Sequence, residues 1–275
     1  MLRLYPAPPQ ELPVAGAYLA QRLHTQGSPA RPFVYADFVM SLDGRIALGE
    51  SAERTGALPE ALPNASDLRL MLELIAQADC LITHGGYLRA VAEGRLEDIM
   101  QVGLRPGHED LAAWRRAEGL AAQPAILVAS ASLDFPLPPS LAQHGQRVMI
   151  ATGAASSPAT REAWRGRGYE VIVAGRGAAV EGAPLTDALG ERGFRSLFLL
   201  AGPLMLETML RDHRLARLYL TIAHCLIGGT VFQTMLRGPE LGAAGRMQLA
   251  ALYGEVGSSS AAGQWFAQFD VAAPE

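Results

Sequence analysis

The chain has 275 residues, 49% of them hydrophobic and 18% charged, which suits an α/β domain with a full core. A net charge of -4 leaves no basic footprint and argues against nucleic acid as a partner. All 23 basic residues are arginine; without lysine there is no Schiff-base chemistry of the pyridoxal-phosphate kind and no P-loop.

The chain opens on "MLRLYPAPPQELP", which lacks the apolar core of a signal peptide, and no apolar segment reaches the ~18 residues of a membrane helix. A cytoplasmic protein with no membrane partner is the expectation. "FVYADFVMSL", residues 33–42, reads as a buried strand, although Asp37 interrupts it and Asp43 follows its end. "NASDLRLMLELIAQA" reads as a helix capped by Asn64, with Leu68, Met71, Leu72 and Ile75 on one face.

"DCLITHGG" is a strand running into Gly85 and Gly86. The polar segment 91–123 suits a surface helix better than a flap. "AILVASA" and "RVMIATG" are strands; "SSPATREAWRGRGYE" is a helix ending near Gly166 or Gly168; "YEVIVAG" and "SLFLLAG" are strands again. Pro203 suits the first position of the helix in "PLMLETMLRDHRLA". "RLYLTIAHCLIGG" is another strand, and "MQLAALYGEVGSSSAAGQWFAQFDV" reads as two strands around a Gly/Ser loop. Strand–helix alternation of this kind predicts an α/β fold: a predominantly parallel central sheet, helices on both faces and an antiparallel C-terminal hairpin. No linker interrupts it, so a single domain over residues 1–275 is expected.

Loops after strands are where an open α/β sheet binds ligands. Gly85 and Gly86, between a strand and a helix, allow backbone approach to a phosphate, or simply make a tight turn. Gly202 repeats the arrangement before Pro203. Residues 129–132 and 151–157 bring hydroxyls to strand ends, with Arg161 nearby, where they could hold a ribose phosphate or serve the turns. The six histidines make no metal pattern, so no metal is expected. Cys80 and Cys225 sit in apolar runs and read as buried thiols rather than a redox pair. No G-x-S-x-G surrounds Ser41 and no G-x-G-x-x-G follows a strand, against a hydrolase and a Rossmann dehydrogenase.

Taken in order, "MSLDGRIA", "ADCLITHGGYLRA", "LFLLAGPLMLETML" and "RLYLTIAHCLIGG" resemble the reductase domain of bacterial riboflavin biosynthesis, the C-terminal part of the deaminase/reductase. The resemblance covers roughly residues 30–235. The H-x-E…P-C-x-x-C signature of the deaminase half is absent. The resemblance implies the dihydrofolate reductase-like fold, a homodimer, and an NADPH-dependent reductase acting on a small molecule. Its members open the sugar of a ribosylaminopyrimidine 5'-phosphate and deliver hydride to C1'. It further implies that Thr83, Gly85 and Gly86, with the turn at Gly202, Pro203 and Leu204, cradle the cofactor's phosphates. Ser130 and Ser132 would lie near the adenosine ribose and its 2'-phosphate. Ser41 and Asp43 match S-x-D-G, where the aspartate would serve the chemistry or orient the substrate; as a residue type it could equally cap the strand.

Departures are as informative. Asp37 stands where many riboflavin reductases have lysine, Leu200–Ala201–Gly202 replaces E-G-G, and Tyr87 replaces the threonine of G-G-x-T. The D-D-P-x-L-T-x-R segment, whose arginine helps bind the substrate phosphate, is missing after Ala90. A reductase for another substrate, such as a dihydropterin, and a nucleotide-binding dimer that has lost catalysis are therefore the rival expectations. Asp37 is read as substrate-facing and negative, repelling a 5'-phosphate and leaving little activity on the phosphorylated pyrimidine. The run "LYLTIAHCLIGGTVF" and the C-terminal hairpin supply the surface expected to pair two copies.

Overall fold

The computed structural model describes residues 1–49, 59–257 and 263–272. In chain order the elements are β1 (Leu2–Tyr5), β2 (Gln10–Glu11), β3 (Phe33–Ser41), β4 (Ala47–Leu48), α1 (Ala65–Ala76), β5 (Cys80–His84), α2 (Gly85–Ala92) and α3 (Asp110–Ala117). There follow β6 (Ala125–Ala129), α4 (Pro139–Gln143), β7 (Val148–Thr152), α5 (Pro158–Gly166), β8 (Glu170–Val173), α6 (Gly182–Glu191), β9 (Ser196–Leu199) and α7 (Pro203–Arg211). The chain closes with β10 (Leu215–Ala223), β11 (Phe232–Gln233), β12 (Met247–Glu255) and β13 (Gln264–Val271). Every strand and helix expected from the sequence is present. The polar excursion contains α3, and the hairpin's Gly/Ser loop lies outside the described residues.

Two compact units divide the chain. One holds residues 22–33 and 75–201. Its sheet runs β9–β5–β6–β7–β8, all parallel, with Leu81 beside Phe198 and Ile126, and Ile150 beside Val128 and Val171. Leu81, Ile82, Ile126, Leu127, Val128, Met149 and Ile150 are buried, as continuous apolar runs demand of strands covered on both faces. The buried Arg115 of α3 donates to the carbonyls of Ala76 and Ala78, 2.8 and 2.9 Å, which ties the excursion to the end of α1.

The other unit holds residues 1–21, 34–74 and 202–275. Here β3 and β10 are parallel, and β13, β12, β1 and β2 extend β10 in antiparallel order. The antiparallel part is thus larger than the expected hairpin, because the N-terminal strands join it. The hairpin and β10 are interior to this order, so Leu218, Tyr219, Leu220 and Phe266 are buried in the sheet itself. The run from Leu218 to Phe232 therefore offers little pairing surface: only its last part, with Leu226, Val231 and Phe232, is exposed.

On α1, Asn64 Oδ1 accepts from Asp67 N at 2.9 Å, the expected cap. The buried face differs from expectation. Leu72 and Ile75 are buried, but so are the polar Asp67, Arg69, Glu73 and Gln77, while Leu68 and Met71 are half-exposed. Tyr35, on β3, donates through its hydroxyl to Leu74 O at 2.9 Å, so that face of the sheet lies under α1. Glu73 explains why a carboxylate can be buried there: it accepts from the backbone N–H groups of Gly16, Tyr18 and Leu19, at 2.5, 2.9 and 3.2 Å, and from Arg69 Nε at 2.8 Å. Replacing it by alanine strands these donors, so Glu73→Ala should lower unfolding stability by ~3–5 kcal/mol in urea titration. A loss under 1 kcal/mol would show that the 16–19 segment does not depend on this carboxylate.

Candidate active site

Beyond β3 the chain turns through Leu42, Asp43 and Gly44, the last at φ +80° where a side chain would be strained. Asp43 is a clasp between two loops. Ser41 Oγ donates to its Oδ1 in a very short hydrogen bond, Ile227 N donates to Oδ1 at 3.2 Å and Gly228 N to Oδ2 at 2.8 Å. Arg45 adds an ion pair at 3.2 Å, donates to Gly228 O at 3.2 Å and lies over the Phe232 ring at 4.2 Å. Leu42 N to Cys225 O and Ile46 N to Gln233 O, each 2.9 Å, continue the closure into the β4–β11 ribbon. The Ser41 hydroxyl above all, then the two backbone N–H groups and Arg45, holds the Asp43 carboxyl at about 2. A carboxylate so placed is ionised above pH 4 and has little tendency to take a proton near neutrality. Of the two roles open to it, orientation is the one its hydrogen bonds suit.

Asp37 sits mid-strand on β3, half-buried, opposite Tyr219 of β10. Two residues on, Val39 lies opposite Thr221, whose side chain hydrogen-bonds the carboxyl of Asp67 in the first turn of α1. Burial pushes Asp67 up to about 6. Burial, and then the charge of Asp67, raise Asp37 well above the usual carboxylate range. The expectation of a repelling negative charge at Asp37 is thereby undercut: its neighbour is a second acid, and both are pushed toward their neutral forms. Among the described residues neither acid has a cationic partner. Asp67 carried no functional signal in the sequence, where it reads only as an acidic first-turn residue of a helix.

In the parallel unit, β5 leads straight into α2. His84 occupies the N-cap in extended conformation and makes no side-chain cap. The N–H groups of Gly85, Gly86 and Tyr87 point out of the first turn with no intrahelical acceptor to meet. Burial, with Arg89 nearby, lowers His84 to about 4, so it brings no charge. Thr83 is fully buried on β5, and its Oγ1 has no partner among the described residues. A Cβ on Gly85 would meet Phe135 Cδ1 at 3.1 Å and Ser130 Oγ at 3.3 Å, which brings Thr83, Gly85, Gly86 and Ser130 into one locality. Ser130 Oγ accepts from Leu133 N at 3.0 Å and Ser132 Oγ from Asp134 N at 3.3 Å; both hydroxyl protons remain available to a ligand. Arg89, on α2, donates to Asp134 O at 2.5 Å in this same turn, and was not singled out by the sequence. These features suit an anionic, phosphate-bearing cofactor: free N–H groups, an orphaned buried hydroxyl and an adjacent guanidinium.

The other unit holds the Gly202 turn. Gly202 is the extended N-cap of α7, Pro203 its first residue and Leu204 an exposed side chain (60%). No side chain caps this helix either. Cys80 is buried and Cys225 half-exposed; both are free thiols. Among the described residues no three His, Cys, Asp or Glu side chains group to hold a metal, and no helix is long and apolar enough to cross a membrane.

Residues 32–253 match the model of the RibD C-terminal domain. No curated protein is similar enough to the chain to count as a match. Among solved structures, the chain resembles a pyrimidine reductase-like protein from Corynebacterium diphtheriae, with TM-score 0.61 and 22% identity, over 88% of this chain and 93% of that one. It also resembles the riboflavin biosynthesis reductase of Saccharomyces cerevisiae, with TM-score 0.58 and 16% identity, over 94% and 99% of the two chains. A third is the RibD protein of Acinetobacter baumannii, with TM-score 0.60 and 14% identity; there the match covers 88% of this chain but 58% of that one. The α/β architecture expected from the sequence is the one found, and it is shared with these reductases. The matched span includes the clasped loops, the Asp37–Asp67 face and the α2 start, and on it the chain belongs to the RibD C-terminal domain family, a family of reductases.

Proposed function

We propose that the chain is an NADPH-dependent reductase, acting as one domain over residues 1–275 and reducing a ribosylaminopyrimidine phosphate or a close relative. The observation that carries this reading is the uncapped start of α2 beside the orphaned Thr83 hydroxyl. Bound there, the cofactor supplies hydride. Gly85 and Gly86 offer backbone N–H groups to its phosphates, Thr83 a hydroxyl, and Ser130 and Ser132, with Arg89, the polar surroundings of the adenosine ribose and 2'-phosphate. Gly202, Pro203 and Leu204, at the uncapped start of α7, are a further candidate for cofactor phosphate contact. Ser41 and Asp43 fix the loop that presents the substrate, so their effect on turnover is one of orientation. Two copies of the chain form the working enzyme, in the cytoplasm, paired through apolar surface that includes Leu226 and Val231.

A reductase for another small molecule, such as a dihydropterin, is favoured by one observation. The β3 face carries Asp37 and Asp67 and, among the described residues, no cation that would take a 5'-phosphate. Assaying NADPH oxidation with the ribosylaminopyrimidine phosphate and with dihydropterins separates the two.

Thr83 gives a two-sided test. Thr83→Val keeps the shape and removes a buried hydroxyl with no partner, which should leave the free protein equally stable or stabilise it by ~1–3 kcal/mol. The same change should weaken NADPH binding several-fold, read as a smaller ligand-induced shift in melting temperature. NADPH at about 100 times its dissociation constant should stabilise wild type by ~2.7 kcal/mol, and NADH at the same concentration by less. Equal, null shifts with both nucleotides at millimolar concentration would reject the cofactor assignment.

Asp43→Asn should lower turnover at least tenfold while leaving NADPH affinity and the shape of the pH–rate profile unchanged. The stability test has a fixed sign. A carboxyl depressed from about 3.8 to about 2 contributes stability that is fully present above pH 4 and is lost as pH falls from 4 to 2. Melting temperatures of wild type and Asp43→Asn should therefore converge over that window. A gap that stays constant down to pH 2 would show that charge on Asp43 is not what holds the loops.

A further inference from the structure

Asp37 and Asp67 are two acids on different elements brought together by sheet register. The side chains of Asp37, Tyr219 and Gln268 form one row across β3, β10 and β13, on the face that α1 covers. Thr221 is diagonal to Asp37 on that face of the parallel β3–β10 pair. Thr221 holds the Asp67 carboxyl, so Asp67 is kept beside Asp37 by a hydrogen bond rather than by chance. Asp67 is 6% exposed and Asp37 is half-buried.

The groups around the pair are identifiable element by element. From the N-terminal segment comes Tyr18, whose hydroxyl is bonded to the Gln268 side chain and which feels the charge of Asp37. From β3 comes Tyr35, spent on Leu74 O. From β10 come Tyr219, whose hydroxyl donates to Gln21 at 2.5 Å, and Arg217, ion-paired to Asp270 at 2.7 Å. From α1, beyond Asp67, come Arg69 and Glu73, paired with each other at 2.8 Å. Every cation in this set is committed to another carboxylate. The row ends on Gln268, which is 3% exposed and hydrogen-bonded through its side chain to Tyr18.

We propose that Asp37 and Asp67 form a single proton-sharing acid, in which Asp37 is the carboxyl offered to the substrate and Asp67 is the positioning residue behind it. The inference rests on the reductase reading and deepens it. In its protonated form Asp37 donates to an acceptor on a planar heterocycle, a ring carbonyl oxygen or ring nitrogen. With a proton on the pair, an anionic substrate is tolerated; as pH rises and the proton leaves, two adjacent carboxylates repel it. This replaces the simple repulsion expected from the sequence with a pH-dependent one. Thr221 acts on Asp67 and not on substrate.

The test begins without any substrate. In protein labelled with carboxyl-13C aspartate, wild type should show one resonance titrating near 6 and a second well above the ordinary range, the pair's two macroscopic steps. In Asp67→Asn, Asp37 should titrate at least about one unit lower, since a tenfold change in proton affinity is one unit. In Asp37→Asn, Asp67 should still titrate near 6, because in wild type it loses its proton while Asp37 is still protonated. Circular dichroism checks that both isosteric variants fold. Ordinary carboxylate titration of Asp37 in wild type, or an Asp37 that does not move down in Asp67→Asn, overturns the pair.

Kinetics then read the role. With the ribosylaminopyrimidine phosphate, kcat/KM should fall as pH rises through the pair's ionisation, mostly through KM, and Asp67→Asn should move that limb to lower pH. An unmoved limb overturns the positioning role of Asp67. Absence of turnover at every pH, with the NMR coupling intact, rejects the substrate named in the reductase reading and leaves the acid pair standing.

Discussion

Glu73 carries the constraint on which the rest of its unit, residues 1–21, 34–74 and 202–275, depends. A carboxylate without solvent contact is tolerable only when its oxygens are fully engaged, and three backbone N–H groups with one guanidinium engage them. That set fixes the N-terminal segment 16–19 on α1. With the helix so placed, Tyr35 can reach Leu74 and Asp67 can reach Thr221. The segment in turn carries Tyr18, which packs on Tyr219 with ring centroids 4.9 Å apart. The acid pair on β3 and α1 is therefore a consequence of helix placement, and that placement rests on one buried ion.

The acids of this unit divide by what surrounds them. Asp43 meets donors on every side and is held ionised. Asp37 and Asp67 meet burial and each other, with Thr221 as the one bond that favours the charged form of Asp67. Residues of the same type, separated by six positions along one strand and its turn, thus acquire opposite proton affinities from environment alone. Structural and chemical work are separated accordingly: Asp43 closes loops, and the pair remains free to exchange a proton.

Much of this was legible in the sequence. Apolar runs located β3, β5 to β10, β12 and β13, and Asn64 and Pro203 marked helix starts. S-L-D-G-R-I-A and L-I-G-G stood out as separate stretches of one pattern; the structure shows that they are one object, because Asp43 bonds the N–H groups of Ile227 and Gly228. What was not legible depended on pairing across the sheet. The face of α1 was misjudged because periodicity counts apolar side chains, whereas Asp67, Arg69 and Glu73 are buried by satisfying one another and the backbone. The N-terminal strands escaped notice since β1 and β2 are four and two residues long and mostly exposed. Asp37 was found but its partner was not: nothing local relates residue 37 to residue 67, and only the β3–β10 register with Thr221 does so.

The parallel unit shows the converse logic. In the unit that holds Glu73, the buried carboxylate has its donors from the protein itself, and that satisfaction fixes α1. At the C-terminal ends of β5 and β7, by contrast, Thr83 and Thr152 are fully buried with hydroxyls that have no partner among the described residues, and Ser156 just beyond β7 is in the same condition. A buried hydroxyl left unpaired costs about 1–3 kcal/mol, and valine would fill each threonine site without that penalty. The orphans lie at the strand ends where an open parallel sheet binds ligands, and Thr83 immediately precedes a helix start with no side-chain cap. Destabilisation concentrated at that edge is what a binding surface requires, since donors already satisfied by the protein have nothing left to offer a phosphate. Preorganised polar groups of this kind exchange stability of the free chain for affinity, and the same exchange explains why glycine, not alanine, stands at position 85, pressed against Phe135 and Ser130.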